Sequence, residues 1–220
     1  MTEENLFKKF YINQPKDFYI SQMKTRGPRH LWFKKRQFTA RCLVEKYWSG
    51  GVVLDLGCGN CVWNDGRFPA VGVDICENML KYNASFLPSF YPLKSDLYNP
   101  LPLKDNSVDM IIITEVLEHF INYQFLIREI KRVLKEDGVV VGSVPYSKLP
   151  GIWGFVFPLW CLYKGIRDND KYYLNKCGHR TSFSPETLKI AFKDFNLLEI
   201  RTIGLLTIFF VARKKRNEFT

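Results

Sequence analysis

The chain has 220 residues, 46% hydrophobic and 25% charged. That balance excludes a disordered, collagen-like or coiled-coil architecture and fits a single domain over residues 1–220, large enough to bury a core without disulfides or a structural metal. The formal charge of +10 is gathered at the ends: residues 1–50 hold eleven Lys and Arg against four Asp and Glu, and the tail carries Arg213, Lys214, Lys215 and Arg216. Such a distribution suits a solvated basic face or an anionic partner.

The first ten residues lack the basic and then apolar pattern of a secretory leader, so a reducing cytoplasm is expected. The six scattered cysteines then read as free thiols. Cys58 and Cys61 form a CxxC with no second pair to complete four ligands, and zinc is not expected there.

In chain order, the spacing predicts a helix over 29–48, with Leu31, Phe38, Cys42 and Val44 or Glu45 along one side and Ser49-Gly50-Gly51 as its stop. It completes a basic, helical N-terminal segment over 1–50. Strands follow at 52–56, 70–74, 90–95, 108–113 and 138–144, with helices at 76–86 and 122–135, the latter presenting Phe125, Leu126, Ile130, Val133 and Leu134. Strands alternating with helices predict a parallel sheet.

Residues 147–178 interrupt this rhythm with an insertion rich in Trp, Tyr and Phe. Ser184-Pro185 then caps a helix to about Phe195, and strands at 197–203 and 207–213 close the chain. The link between them is too short for a crossover, so the two are antiparallel.

The informative stretch is Val52-Val53-Leu54-Asp55-Leu56-Gly57-Cys58-Gly59-Asn60, a buried strand running into a glycine turn at its carboxyl end, where open α/β sheets bind ligands. Gly57 and Gly59 permit close approach of a ligand to backbone. Asp55 would repel a pyrophosphate yet attract an ammonium, and Val62 stands where a dinucleotide fingerprint has its third glycine. Both point away from a dinucleotide, and Asp55 points to a cationic ligand. Asp74, at the end of the second strand with Ile75 beside it, is placed to accept two ribose hydroxyls. Asp96 is placed to accept an adenine amino group, with Leu97 packing on the ring.

DLGCGN, VGVDICENML, SDLYNPLPLKDNSVDMIIITEVLEHF and EIKRVLKEDGVVV resemble, in order and spacing, the motifs of class I S-adenosylmethionine-dependent methyltransferases, notably the group containing ubiquinone-biosynthesis O-methyltransferases. The resemblance covers roughly residues 50–145, with a looser echo from Gly178-His179-Arg180 to Leu188. It implies a Rossmann-like seven-stranded α/β sheet of order 3-2-1-4-5-7-6, last strand antiparallel, with helices on both faces. It also implies S-adenosylmethionine contacts at Asp55, Gly57, Gly59, Asp74, Asp96, Thr114 and Glu115. Two departures stand out: Cys61 replaces a customary third glycine, and Val62–Arg67 is too short for the usual first crossover helix.

Methyl transfer from a sulfonium needs alignment and exclusion of water more than a strong base. His119, just past the fourth strand, is the first candidate to take a proton from a hydroxyl acceptor, and His179 the second. Glu115, Glu118 and His119 also resemble the ExxEH of ubiquinone-pathway and small-RNA ribose methyltransferases, where these groups can hold a divalent cation with His179 as a fourth ligand. The motif occurs in metal-free relatives too, and the expected site carries no metal.

The insertion is too short to span a bilayer and reads as a lid for a small, apolar or amphipathic, even lipid-like, acceptor. Peripheral contact with the inner face of a membrane is its second reading. An RNA acceptor, suggested by the basic segment, and a non-catalytic cofactor-binding scaffold are the alternatives in function. No oligomeric state is implied.

Overall fold

The computed structural model describes residues 3–24, 26–169 and 171–216; residues 1, 2 and 25 of the N-terminal segment and residue 170 of the insertion lie outside the described residues. The N-terminal segment forms three helices, α1 (Glu3–Ile12), α2 (Phe18–Met23) and α3 (Pro28–Tyr47). Then come β1 (Val53–Leu56), β2 (Ala70–Asp74), α4 (Glu77–Phe86), β3 (Phe90–Lys94), β4 (Val108–Thr114), α5 (Tyr123–Val133) and β5 (Leu134–Pro145). The insertion supplies α6 (Trp153–Arg167) and α7 (Lys171–Leu174), and the chain closes with α8 (Pro185–Ala191), β6 (Phe195–Ile203) and β7 (Thr207–Lys214).

The seven strands form one sheet in the order β3-β2-β1-β4-β5-β7-β6. Neighbours are parallel except that β7 runs antiparallel to both β5 and β6. This is the topology the resemblance implies, and it aligns the carboxyl ends of β1 to β4 along one edge. β1 is buried throughout, as are residues 110–113 of β4 and 138–145 of β5, which places these central strands between two covered faces. One core lies beneath α5 and α8, around Ile111, Leu126, Ile130, Leu188 and Phe210. The other lies beneath α3 and α4, around Leu43, Val44, Trp63, Leu80 and Phe209.

Several local expectations are corrected. Helix α3 buries Phe33, Ala40, Leu43 and Val44, whereas Leu31 and Phe38 are exposed. The true seam, spaced 33, 36, 40, 43 and 47, includes the charged Arg36, which turns inward to an acid and so disguises the face from an apolar count. Helix α8 stops at Ala191, because Phe192 and Phe195 both bury in the core and the chain must turn between them. Helix α5 gives way at Leu134 directly to β5 rather than running to the Asp137-Gly138 turn.

No helix joins β1 to β2. Instead Trp63, 2% exposed, fills that side of the sheet against Phe68, which in turn meets Trp48. A buried aromatic plug takes the place of the crossover helix and needs fewer residues to cover the strands.

Candidate active site

The carboxyl ends of β1 to β4 open onto a cavity of about 150 Å³. Gly57, Asp74, Ile75, Asp96, Leu97, Glu115 and His119 line it, together with residues the motifs do not single out: Lys8, Tyr11, Tyr19, Ser95, Tyr98, Val116, Phe120 and Gly178. Asp55, Gly59, Thr114 and His179 are not on its wall.

Gly57 sits at φ +69°, and a Cβ there would come within 2.6 Å of Val116 Cγ2. Gly59, at φ +48°, leaves room for the Tyr19 ring, which a Cβ would meet at 2.7 Å. The glycine turn therefore serves two ends: it keeps the cavity floor low and seats the N-terminal segment. Tyr19 N–H donates to Asn60 Oδ1 at 2.9 Å, and Asn60 Nδ2 donates to the carbonyl of Lys16 at 2.7 Å, which fixes that seat. Cys61 also has a positive φ, of 48°. A glycine is the cheaper residue in that conformation, which accounts for the customary glycine and shows that the backbone path survives its replacement.

Asp74 is held by the backbone. Gly59 N–H donates to its Oδ2 and Cys76 N–H to its Oδ1, both at 2.8 Å. Each oxygen can accept a further hydrogen bond, and the residue lines the cavity. Burial raises its pKa, against the lowering effect of those amides.

Asp55 is turned elsewhere. It is 2% exposed and accepts the Trp63 indole N–H at 2.7 Å. Burial pushes it up to about 7, although the Trp63 and Cys61 hydrogen bonds act to lower it. The residues that replace the crossover helix thus claim the carboxylate expected to face an ammonium.

On the far wall, Asp96 accepts Tyr98 N–H at 3.0 Å and pairs with Lys8 Nζ at 2.8 Å. The Lys8 ammonium also stands 4.8 Å over the Tyr98 ring, which stacks on Phe120 with centroids 4.3 Å apart. Glu115, at φ +55°, is gripped by the Ser143 hydroxyl at 2.7 Å and by Arg36 Nη1 at 3.0 Å. Arg36 itself lies against the Trp32 and Phe33 rings at 4.7 and 4.9 Å.

His119 Nδ1 lies 3.3 Å from the Gly178 carbonyl, so the N–H belongs on Nδ1 and Nε2 keeps its lone pair. Burial brings its pKa down to about 4, so the ring is neutral at neutral pH. Its centroid is 5.0 Å from His179, which stacks on Phe157 of α6 at 4.5 Å. Glu118 is 1% exposed, its Oε2 lacks a hydrogen-bond partner among the described residues, and burial followed by the neighbouring Glu115 holds its pKa well above the usual carboxylate range.

The ligand atoms of Glu118, His119 and His179 lie within 4.8 Å of one another. These donors suit a divalent cation in kind. The remaining acid of the ExxEH motif, Glu115, is spoken for by Arg36 and Ser143.

The N-terminal segment closes the roof. Tyr11 O–H and Tyr172 O–H are 3.0 Å apart, and Phe10 stacks on Tyr172 with centroids 3.6 Å apart. The cavity beneath this roof is smaller than the about 300–1,000 Å³ usual for ligand sites.

Residues 54–142 match a family described as a methyltransferase domain. A Mycobacterium tuberculosis protein that bears the name of an S-adenosylmethionine-dependent methyltransferase is 29% identical over 124 residues, which span 53% of this chain and 43% of that protein. The demethylmenaquinone methyltransferase of Staphylococcus epidermidis is 34% identical over 103 residues, 42% of each chain. The chain therefore spans less than half the length of these relatives. Among solved structures, an S-adenosylmethionine-dependent methyltransferase of Aquifex aeolicus superposes with a TM-score of 0.58 at 16% identity, covering 88% of this chain and 97% of that one. That likeness is one of fold.

Proposed function

Because the chain belongs to the class I S-adenosylmethionine-dependent methyltransferases, we propose that its cavity binds S-adenosylmethionine and directs the methyl group to a small, apolar or amphipathic acceptor. One observation carries the reading: Gly57, Asp74, Asp96 and Glu115, from the ends of four neighbouring strands, meet on one cavity, with no helix N-terminus after β1 to hold a pyrophosphate. Asp96 and Glu115 already meet cations of the chain, Lys8 and Arg36, so Asp74, held by backbone N–H groups, is the carboxylate best placed to meet a ligand's hydroxyls.

In this reading Asp74 takes the ribose and Asp96 the adenine amino group, with Leu97 against the ring. The bound cofactor supplies an electrophilic methyl and its own leaving group. The chain supplies alignment, dryness and a proton acceptor. His119 lines the cavity and keeps its lone pair on Nε2, 4.0 Å from Glu118 Oε1. An imidazole whose conjugate acid titrates near 4 is a weak base, suited to an acidic hydroxyl such as a phenol or enol rather than to an alcohol. Tyr11, Tyr98 and Phe120 give the walls their apolar, aromatic character. The Staphylococcus relative, named for a quinone acceptor, agrees with such a substrate class.

An RNA acceptor draws on the basic N-terminal segment, but four of its eleven Lys and Arg side chains pair with acids of the chain itself. Lys8 pairs with Asp96, Arg36 with Glu115, Arg41 with Asp65 and Lys46 with Glu199. The small-molecule reading is therefore preferred.

Calorimetry with S-adenosylmethionine and its demethylated product tests the first half of the proposal, and absence of heat with either overturns it. Radiolabelled cofactor incubated with separate apolar-metabolite and RNA fractions tests the second. Label confined to the RNA would reverse the acceptor assignment.

A further inference from the structure

Helix α6 is apolar on both of its long sides. The inner side packs Phe157 and Cys161 against Cys177, with Gly165 closed over by Leu174. The outer side carries Ile152, Phe155, Leu159, Leu162, Tyr163 and Ile166, exposed by 42 to 69%. No charge interrupts the sequence between Ile152 and Tyr163. The stripe runs on into the β6–β7 turn, where Ile152 N–H donates to the carbonyl of Leu205, itself 42% exposed. A single exposed Leu needs no explanation, but a helix-long apolar stripe marks an interaction surface.

The charge at its margins selects the occupant. Residues 147–180 carry six Lys and Arg against two Asp. Lys148, exposed, precedes the helix, and Arg167 ends it, sharing Asp168 with Lys164 so that this end keeps one net positive charge. At its start, Trp153 stacks on Trp32 with centroids 5.1 Å apart, which brings up the beginning of α3 and its exposed Arg26, Lys34 and Lys35. A second copy of the chain, docked face to face, would set these cations against one another. An anionic bilayer takes both features, with apolar side chains entering the boundary of the acyl chains and cations meeting phosphates. No helix among the described residues is long and apolar enough to cross a membrane. Helix α6 is therefore suited to lie in the plane of the interface.

We infer that the outer face of α6 docks this protein onto an anionic phospholipid surface, with Leu159 and Ile166 at the centre of the contact. The docking rests on exposure and charge alone. Its consequence for catalysis rests on the reading above: Phe157 of the same helix stacks on His179, one ring away from His119, so an apolar acceptor enters from the bilayer side.

The test is flotation of the full chain with vesicles of phosphatidylcholine alone and of phosphatidylcholine mixed with phosphatidylglycerol. Binding to the anionic vesicles is expected to exceed binding to the neutral ones by about tenfold or more, and to weaken as salt shortens the Debye length. The Leu159→Ser/Ile166→Ser double variant, whose sites are exposed and leave the core intact, is expected to lose about tenfold or more in binding. Phe86→Ser, at a position 48% exposed on α4, serves as the control and should bind as the parent does.

Equal binding by the parent and the double variant, or no binding to anionic vesicles, overturns the inference. So does a dimer in sedimentation that the double variant converts to monomer, since a second copy would then own the surface. Titration of the same samples with S-adenosylhomocysteine separates the two proposals. Ligand binding without vesicle binding sinks the docking alone; vesicle binding without ligand binding sinks the cofactor reading alone.

Discussion

Lys8 reaches from the first helix to set its ammonium 2.8 Å from the carboxylate of Asp96, the group proposed to receive the adenine amino group. The roof of the cavity is thus tied to the carboxylate proposed for the nucleoside, and under that proposal ligand entry would exchange one partner of Asp96 for another.

Replacing Lys8 with Met should therefore tighten cofactor binding. Both side chains are part-exposed, at 28 and 22%, so the pair is worth little after screening, about 0.5–1 kcal/mol, and the gain is about two- to fivefold in Kd. Calorimetry with S-adenosylhomocysteine measures it; weaker binding would mean that Lys8 holds the ligand instead of competing with it.

Asp74→Asn keeps the size of the side chain but replaces one acceptor oxygen with a donor facing an amide N–H and a ribose hydroxyl. Affinity should fall by about 1–3 kcal/mol, roughly five- to 150-fold. Circular dichroism checks that the fold is kept, and unchanged affinity in a folded variant would place the ribose elsewhere.

Gly57→Ala faces two obstacles, a φ of +69° and a Val116 methyl at 2.6 Å. The loss in stability should be about 1–3 kcal/mol by urea unfolding, and adding Val116→Ala should leave a smaller coupling cost than the two single changes added together. Strict additivity would show that the backbone angle alone sets the penalty.

Two buried groups tilt stability with pH in opposite directions. Asp55 is raised from 3.8 to about 7 in the fold, so its contribution is complete below 3.8 and is lost as pH rises toward 7. His119 is lowered from 6.5 to about 4, so its contribution is complete above 6.5 and is lost as pH falls toward 4. Asp55→Asn, which retains an acceptor for the Trp63 indole, should gain about 1–2 kcal/mol at pH 8 and nothing near pH 3.5. Urea midpoints across that range check it, and an equal gain at both ends would remove titration as the cause.

The strands, their order and the turn at Gly57 and Gly59 were legible in the sequence, because each depends on neighbours in the chain: a β-branched run, a glycine after it, an acid at the next strand end. The same local signals brought Asp74, Asp96 and His119 to one edge of the sheet. Missed were Lys8, Tyr11 and Tyr19, which lie in a basic segment whose spacing carries no site motif and whose partners are 40 to 160 residues away.

Only the tertiary structure decided where the carboxylates point. Asp55 looks to Trp63 rather than to the cavity, Glu115 is held by Arg36, and among the described residues no element covers the outer side of α6. A motif places a backbone by short-range sterics. The direction of a buried charge follows whichever distant donor offsets its desolvation, and that donor is chosen by the packing of the whole chain.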